Sequence, residues 1–259
     1  MEMEVEMLSV HTLGDPDGRP VLFLHPGNTV GTAWKDVVDQ LPGINGICPD
    51  LPGFGASAHL PLKDFEDSAD HLARFLEAEG LGPLPVIGYS LGAYTGMMLT
   101  LRHPHLVEKA LLTSFQVMPL KGRWYLVPFL NVISPLMTTF RARKSAFKGL
   151  GVENAGSWSV TPTSPCDART LRSIGRLACD FDIRDQIHSI ARPVLVMSGD
   201  QEMESIQESV HLVAEASPNA NGAFASGGHG WPVVSSAIFL RTLKAWLVDA
   251  PLPDALKIV

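Results

Sequence analysis

The sequence predicts an α/β fold, a mostly parallel sheet with helices on both faces. Three observations lead there. Short apolar runs bounded by Gly and Pro, such as Val21–Leu24, Pro85–Ile87 and Val194–Met197, read as buried strands. Between them lie segments whose apolar residues recur at helical spacing, and this alternation is what builds a parallel sheet covered on both sides. The chain has 259 residues, 46% hydrophobic and 18% charged, enough to bury one full core in a single domain.

Taken in order, Glu4–Leu13 alternates polar and apolar residues, as a strand with one wet face does. Asp15-Pro16-Asp17-Gly18 is a turn, and Pro20–Leu24 is a buried strand, so the two are expected to form an opening hairpin. His25-Pro26-Gly27-Asn28 follows, then a helix from Trp34 to about Leu41, a strand at Ile44–Cys48 and a Gly/Pro-rich loop from Pro49 to Ser57. Asp64 caps a helix striped by Phe65, Ala69, Leu72, Ala73 and Leu76. The strand at Pro85–Ile87, the helix from Ala93 to Leu101 and a strand at Lys109–Thr113 come next. Alternation then lapses from Phe115 to about Arg176, where Leu120–Leu136 is apolar and interrupted by Pro128 and Pro135, and Ser157–Pro165 is a Ser/Thr/Pro loop. It resumes with a strand at Pro193–Gly199, a helix at Ser205–Ala216, a weak strand at Gly222–Ala225 and a last helix at Val233–Val248. The expected organisation is therefore a core of residues 1–114 and 177–259 with a lid inserted at 115–176.

Charge and composition exclude several classes. A net charge of −7 argues against a nucleic-acid partner. No run of about 18 uncharged apolar residues is present, so no membrane span is expected. The start, Met-Glu-Met-Glu-Val-Glu-Met, lacks the basic and apolar regions of a signal peptide. Cys48, Cys166 and Cys179 are odd in number and have no ligand spacing. Together these suggest a cytoplasmic, reducing setting. The nine histidines form no metal set, and no cofactor is expected. Oligomeric state is not legible.

The stretch that organises the chain is Gly88-Tyr89-Ser90-Leu91-Gly92, a G-x-S-x-G pattern between a strand and a helix. Such a turn strains the serine and lifts its hydroxyl above the sheet. A Cβ at Gly88 or Gly92 would strike the neighbouring strand or helix. The helix N-terminus points its N–H groups at the place where an oxyanion would form. A serine needs a base, and the base an acid to fix its tautomer. His229, in Ser226-Gly227-Gly228-His229-Gly230, hangs in a Gly-rich loop before the last helix and is the expected base. The acid belongs on Gly199-Asp200-Gln201-Glu202, where Glu202 has the better reach and Asp200 stays open. The backbone amide of Leu91 is one oxyanion donor, and Gly27 or Asn28 supplies the other, because Pro26 has no N–H. His25 reads as a brace for that loop.

These motifs resemble the α/β-hydrolase superfamily. His25-Pro26-Gly27 with Trp34 is similar to its oxyanion loop, and Asp50-Leu51-Pro52-Gly53-Phe54-Gly55-Ala56-Ser57 to its D-x-P-G-x-G-x-S loop. Gly88–Gly92 is similar to its nucleophile elbow, Pro193–Glu202 to its acid segment, and Gly228-His229 to its histidine loop. Two positions depart from the pattern: Pro26 stands where Gly is usual, and Glu202 where Asp is commoner. The resemblance implies a serine hydrolase acting through an acyl-enzyme on an ester, lactone or thioester. A serine at position 90 disfavours the dehalogenases and epoxide hydrolases of that superfamily, which carry Asp there. Trp124, Tyr125, Leu126, Phe129, Leu130, Ile133 and Met137 of the lid suggest an apolar acyl or alcohol group, and Trp124, Phe129 and Trp231 are the expected pocket residues. The competing expectation is a lyase, an oxygenase or a ligand receptor using the same pocket.

Overall fold

The computed structural model describes residues 7–150, 152, 156–158, 161 and 163–259. An eight-stranded sheet runs through it: β1 (Val10–Gly14), β2 (Arg19–Leu24), β3 (Ile44–Pro49), β4 (Leu84–Tyr89), β5 (Val107–Thr113), β6 (Val194–Gly199), β7 (Ala220–Ala225) and β8 (Lys257–Ile258). The spatial order is β1-β3-β2-β4-β5-β6-β7-β8. The strands β2 to β7 pair in parallel, while β1 and β8 are antiparallel to their neighbours at the two edges. The helices are α1 (Lys35–Val38), α2 (Phe65–Ala78), α3 (Leu91–Arg102), α4 (Arg123–Met137), α5 (Phe140–Gly149), α6 (Ala168–Asp180), α7 (Glu204–Ala216), α8 (Trp231–Val234) and α9 (Ser236–Leu247). Two apolar clusters, one on each face of the sheet, form the core.

The expected opening hairpin does not form. The first strand pairs instead with β3, Val10 opposite Pro49, and β3 lies between β1 and β2. The pattern explains why. An alternating strand with one wet face suits a sheet edge, whereas Val21–Leu24 is fully buried and needs a neighbour on each side. The part of the expected strand at 4–6 lies outside the described residues.

The helix α2 starts as its sequence implies, with Asp64 Oδ1 accepting from the Asp67 amide at 2.6 Å. The segment expected to be interrupted by Pro128 and Pro135 is instead one helix, α4, with both prolines inside it. A proline removes the bond to the carbonyl four residues back. For Pro135 that carbonyl belongs to Asn131, and Arg172 Nε on α6 donates to it at 3.3 Å, so a neighbouring helix supplies the lost partner. The expected last helix is split by Ser235 into α8 and α9.

Helices α4, α5 and α6 form the insertion between β5 and β6, and part of the Ser157–Pro165 loop lies outside the described residues. From β2 the chain crosses to β3 on one side, then returns to β4 on the other. Strand order reverses there, so the loops after β2 and β4 part at their carboxyl ends and open a crevice.

Candidate active site

Ser90 occupies the turn between β4 and α3 with φ 52° and ψ −115°, a conformation L-residues rarely adopt. The turn has no room to relax. A Cβ on Gly88 would lie 2.6 Å from the Gly92 carbonyl oxygen, and one on Gly92 would collide with the Leu24 carbonyl of β2. The Ser90 amide donates to Thr113 O at 2.9 Å, tying the elbow to the end of β5.

Three side chains from distant parts of the chain meet at this end of the sheet. Ser90 Oγ is 3.1 Å from His229 Nε2, and His229 Nδ1 is 2.7 Å from Glu202 Oε2. The carboxylate is buried and the imidazole one-third exposed. The other carboxylate oxygen, Oε1, accepts from the Ser114 hydroxyl at 2.7 Å and from the Gly199 amide at 3.0 Å. Asp200 does a different job: its Oδ1 accepts from the Gly227 amide at 2.9 Å and holds the turn of the histidine loop. The Tyr89 hydroxyl donates to His229 O at 2.7 Å, a second tie on that loop.

Ser114 was not singled out by sequence. It is buried with φ 65°, and its Oγ lies 3.2 Å from Thr113 Oγ1, which in turn accepts from Trp231 Nε1 at 3.0 Å. Because Ser114 gives its proton to Glu202, the chain of donors has one direction: Trp231 to Thr113, Thr113 to Ser114, Ser114 to the carboxylate. Only the residue's place at the end of a strand next to the elbow could have drawn attention to it.

The loop after β2 is braced from within. Leu51 N donates to His25 Nε2 at 3.0 Å, so the proton of the buried ring sits on Nδ1, which donates to Pro26 O at 2.9 Å. Thr29 Oγ1 donates to the same carbonyl at 2.8 Å. Burial pushes the His25 pKa down to about 4, the Pro26 bond and the Asp50 charge opposing it only in part. In a trans peptide the N–H points away from the C=O. With Pro26 O drawn inward by two donors, the Gly27 N–H is turned the other way. Asn28 follows with φ 63° and a buried Oδ1 without a hydrogen-bond partner. Leu91, as the first residue of α3, has no partner inside its helix for its own N–H.

Two cavities meet at Ser90. The larger, about 330 Å³, is lined by apolar residues of the insertion, among them Leu130, Ile133, Met137, Phe147 and Ile174, together with Trp158. The smaller, about 220 Å³, is bounded by Tyr94, Ser114, Gln116, Met203 and Ile206. Gly27, Ser90, Ile174 and His229 border both. Among the described residues neither lining includes Lys or Arg.

The aromatic residues expected in the pocket are elsewhere. Trp124 and Phe129 fall on the outer face of α4, 80% and 58% exposed, while Leu130, Ile133 and Met137 fall on its inner face. Trp231 is buried with its indole N–H committed to Thr113, and borders neither cavity. The tryptophan that does line the larger cavity is Trp158, packed edge-on against Trp34 with ring centroids 4.9 Å apart.

Sheet order, strained serine turn and histidine loop define an α/β-hydrolase-type protein. The chain belongs to the α/β hydrolase fold family, whose model matches residues 19–230. It is similar to the 2-hydroxy-6-oxo-2,4-heptadienoate hydrolase of Pseudomonas putida, 26% identical and covering 92% of each chain. It is also 25% identical to the pimeloyl-[acyl-carrier protein] methyl ester esterase of Vibrio vulnificus, over 73% of this chain and 78% of that one. Among solved structures, an esterase from Exiguobacterium antarcticum superposes with a TM-score of 0.78 at 20% identity, covering 93% of this chain and 95% of that one. Among the described residues no helix is long and apolar enough to cross a membrane.

Proposed function

We propose that this protein is a serine hydrolase that cleaves a carboxylic ester, lactone or thioester bearing an apolar group, through an acyl-enzyme. The observation that carries the reading is the relay Ser90 Oγ to His229 Nε2, 3.1 Å, and His229 Nδ1 to Glu202 Oε2, 2.7 Å. Ser90 attacks the carbonyl carbon, and His229 takes its proton and passes it to the departing alcohol or thiol. Water then enters, deprotonated by His229, and releases the acid. Glu202 holds the imidazole with Nε2 free to accept and stabilises the imidazolium that forms. The amides of Leu91 and Gly27 hold the oxyanion, and loss of one such donor costs about 10²–10³ in rate.

In this reading the insertion 115–176 is a lid, and the apolar part of the substrate sits in the larger cavity beneath it. The lining without Lys or Arg supports a neutral apolar group rather than a carboxylate. That distinguishes the expected substrate from the heptadienoate in the name of the Pseudomonas relative. The esterase activity in the Vibrio relative's name is consistent with the same chemistry.

The test is a panel of p-nitrophenyl esters, lactones and acyl thioesters, with a fluorophosphonate probe alongside. Turnover of a neutral apolar substrate, with both turnover and labelling lost in Ser90→Ala, supports the proposal. Labelling of Ser90 with no turnover across the panel would favour a lyase or a ligand receptor.

A further inference from the structure

From the outer face of α4 and the charge of the insertion that carries it, we infer that this insertion docks on an anionic lipid surface. The inference concerns binding and does not depend on the chemistry assigned to Ser90.

Two observations point the same way. The first is that α4 is apolar on both faces. Leu130, Ile133 and Met137 look into the larger cavity, whereas Trp124, Tyr125, Phe129, Val132 and Leu136 face outward, from 53% to 80% exposed. A helix that is apolar all round is ordinarily buried, and an exposed contiguous patch of this kind marks a binding surface. The second is how charge is divided. Of 20 Lys/Arg and 27 Asp/Glu in the chain, residues 115–176 hold nine basic and two acidic, leaving eleven basic and 25 acidic for the rest. The insertion is thus +7 on a body of −14. Its cations frame α4: Lys121 and Arg123 at its start, the latter paired with Asp180 at the end of α6 at 3.3 Å, Arg172 bonded to Asn131 at its middle, and Arg141 and Lys144 just past its end. Near an anionic surface the field would turn the insertion towards the lipid and the acidic body away.

The chemistry of the face favours lipid over a protein partner. Protein–protein interfaces carry on the order of ten directional hydrogen bonds. Between Arg123 at its start and Met137 at its end, the outward face of α4 offers only the Tyr125 hydroxyl and the Asn131 amide as polar side chains, and no charge. A row of exposed Trp, Tyr, Phe, Val and Leu flanked by cations is the composition of a helix lying in a bilayer interface. Each basic residue brought to an anionic surface adds about fivefold in partitioning, screened by salt. Because the inner face of the same helix lines the larger cavity, the docked helix would stand between the lipid and the site.

Flotation of the full-length protein with phosphatidylcholine vesicles, with and without about one quarter phosphatidylglycerol, tests this. The expected result is co-flotation with the anionic vesicles that weakens in high salt and is nearly absent on pure phosphatidylcholine. Val132→Asp with Leu136→Asp should lower partitioning by at least about tenfold, as should Lys121→Glu with Arg141→Glu and Lys144→Glu. Thermal unfolding followed by circular dichroism checks that these surface variants fold. An independent readout is quenching of wild-type tryptophan fluorescence by brominated anionic lipid, which should be lost in Trp124→Phe. No flotation of the wild type, or equal flotation of the variants, overturns the inference. So does a self-associated species that Val132→Asp with Leu136→Asp dissociates while vesicles leave it unmoved, since the face would then bind a second copy. Binding of an acidic soluble protein without vesicle binding would likewise overturn it.

Discussion

The Ser114 hydroxyl donates to Glu202 Oε1 at 2.7 Å, on the carboxylate oxygen opposite the one that meets His229. The side chain that faces the imidazole is thereby held from behind by a residue 88 positions away, at the end of the strand that also receives the Ser90 amide. Removing this donor leaves the Gly199 amide as the remaining bond to Oε1.

Ser114→Ala should therefore lower kcat by roughly 10- to 100-fold, the range for a hydrogen bond to a charged group, with KM little changed. Ser114→Gly should lower kcat equally, because the hydroxyl is gone in both. The two should part in thermal stability: with φ at 65°, glycine relieves backbone strain that alanine keeps, so the glycine variant melts higher. Steady-state kinetics beside thermal melts checks both. Full activity in either variant would show that the hydroxyl does not position the carboxylate.

Glu202→Gln should cost about 10⁴ in kcat, the scale on which an orienting acid acts. Asp200→Asn should stay within about tenfold, because Asp200 bonds the Gly227 amide rather than the imidazole. Comparing kcat/KM of the two variants separates the carboxylates, and the reverse order would transfer the role to Asp200.

His25 makes stability depend on pH. Its folded pKa lies at about 4 against an ordinary 6.5, so between those values the unfolded chain binds a proton that the folded chain refuses. Stability from this ring is complete above about pH 6.5 and is lost as pH falls towards 4, about 3 kcal/mol in all. Urea unfolding between pH 4 and pH 7.5 should show the slope, and His25→Gln should flatten it.

Chain-length preference should track the larger cavity. Ile133→Trp fills space on the inner face of α4 and should reduce kcat/KM for long-chain esters by about tenfold or more while sparing acetate esters. Phe129→Ala, on the outer face, should leave the soluble-ester profile unchanged. A profile that moved with Phe129 and not with Ile133 would contradict the assignment.

How much of this was legible in the sequence follows from what each signal depends on. The serine turn, its glycines and the acid and histidine loops are local motifs, and local backbone demands fix their residue types. Strand and helix alternation gave the fold because buried strands and amphipathic helices write their own periods. The errors arose where a distant partner decides the outcome. Pro135 reads as a breaker, but Arg172 on another helix takes up the Asn131 carbonyl that it leaves without a helical donor. The turn after Gly14 read as a hairpin, but β3 comes between its strands. Trp124 and Phe129 read as pocket residues because composition cannot say which face of an apolar helix turns inward. Trp158 and Ser114 lie in no motif and reach the site only through the fold.

The most direct test of the central claim is intact-protein mass spectrometry after rapid mixing with an activated apolar ester, followed by peptide mapping. The account predicts one acyl group per chain on Ser90, absent in Ser90→Ala and formed far more slowly in His229→Gln, where the serine proton has no acceptor. Ester turnover by Ser90→Ala at the wild-type rate, or an adduct on any other residue, would contradict it.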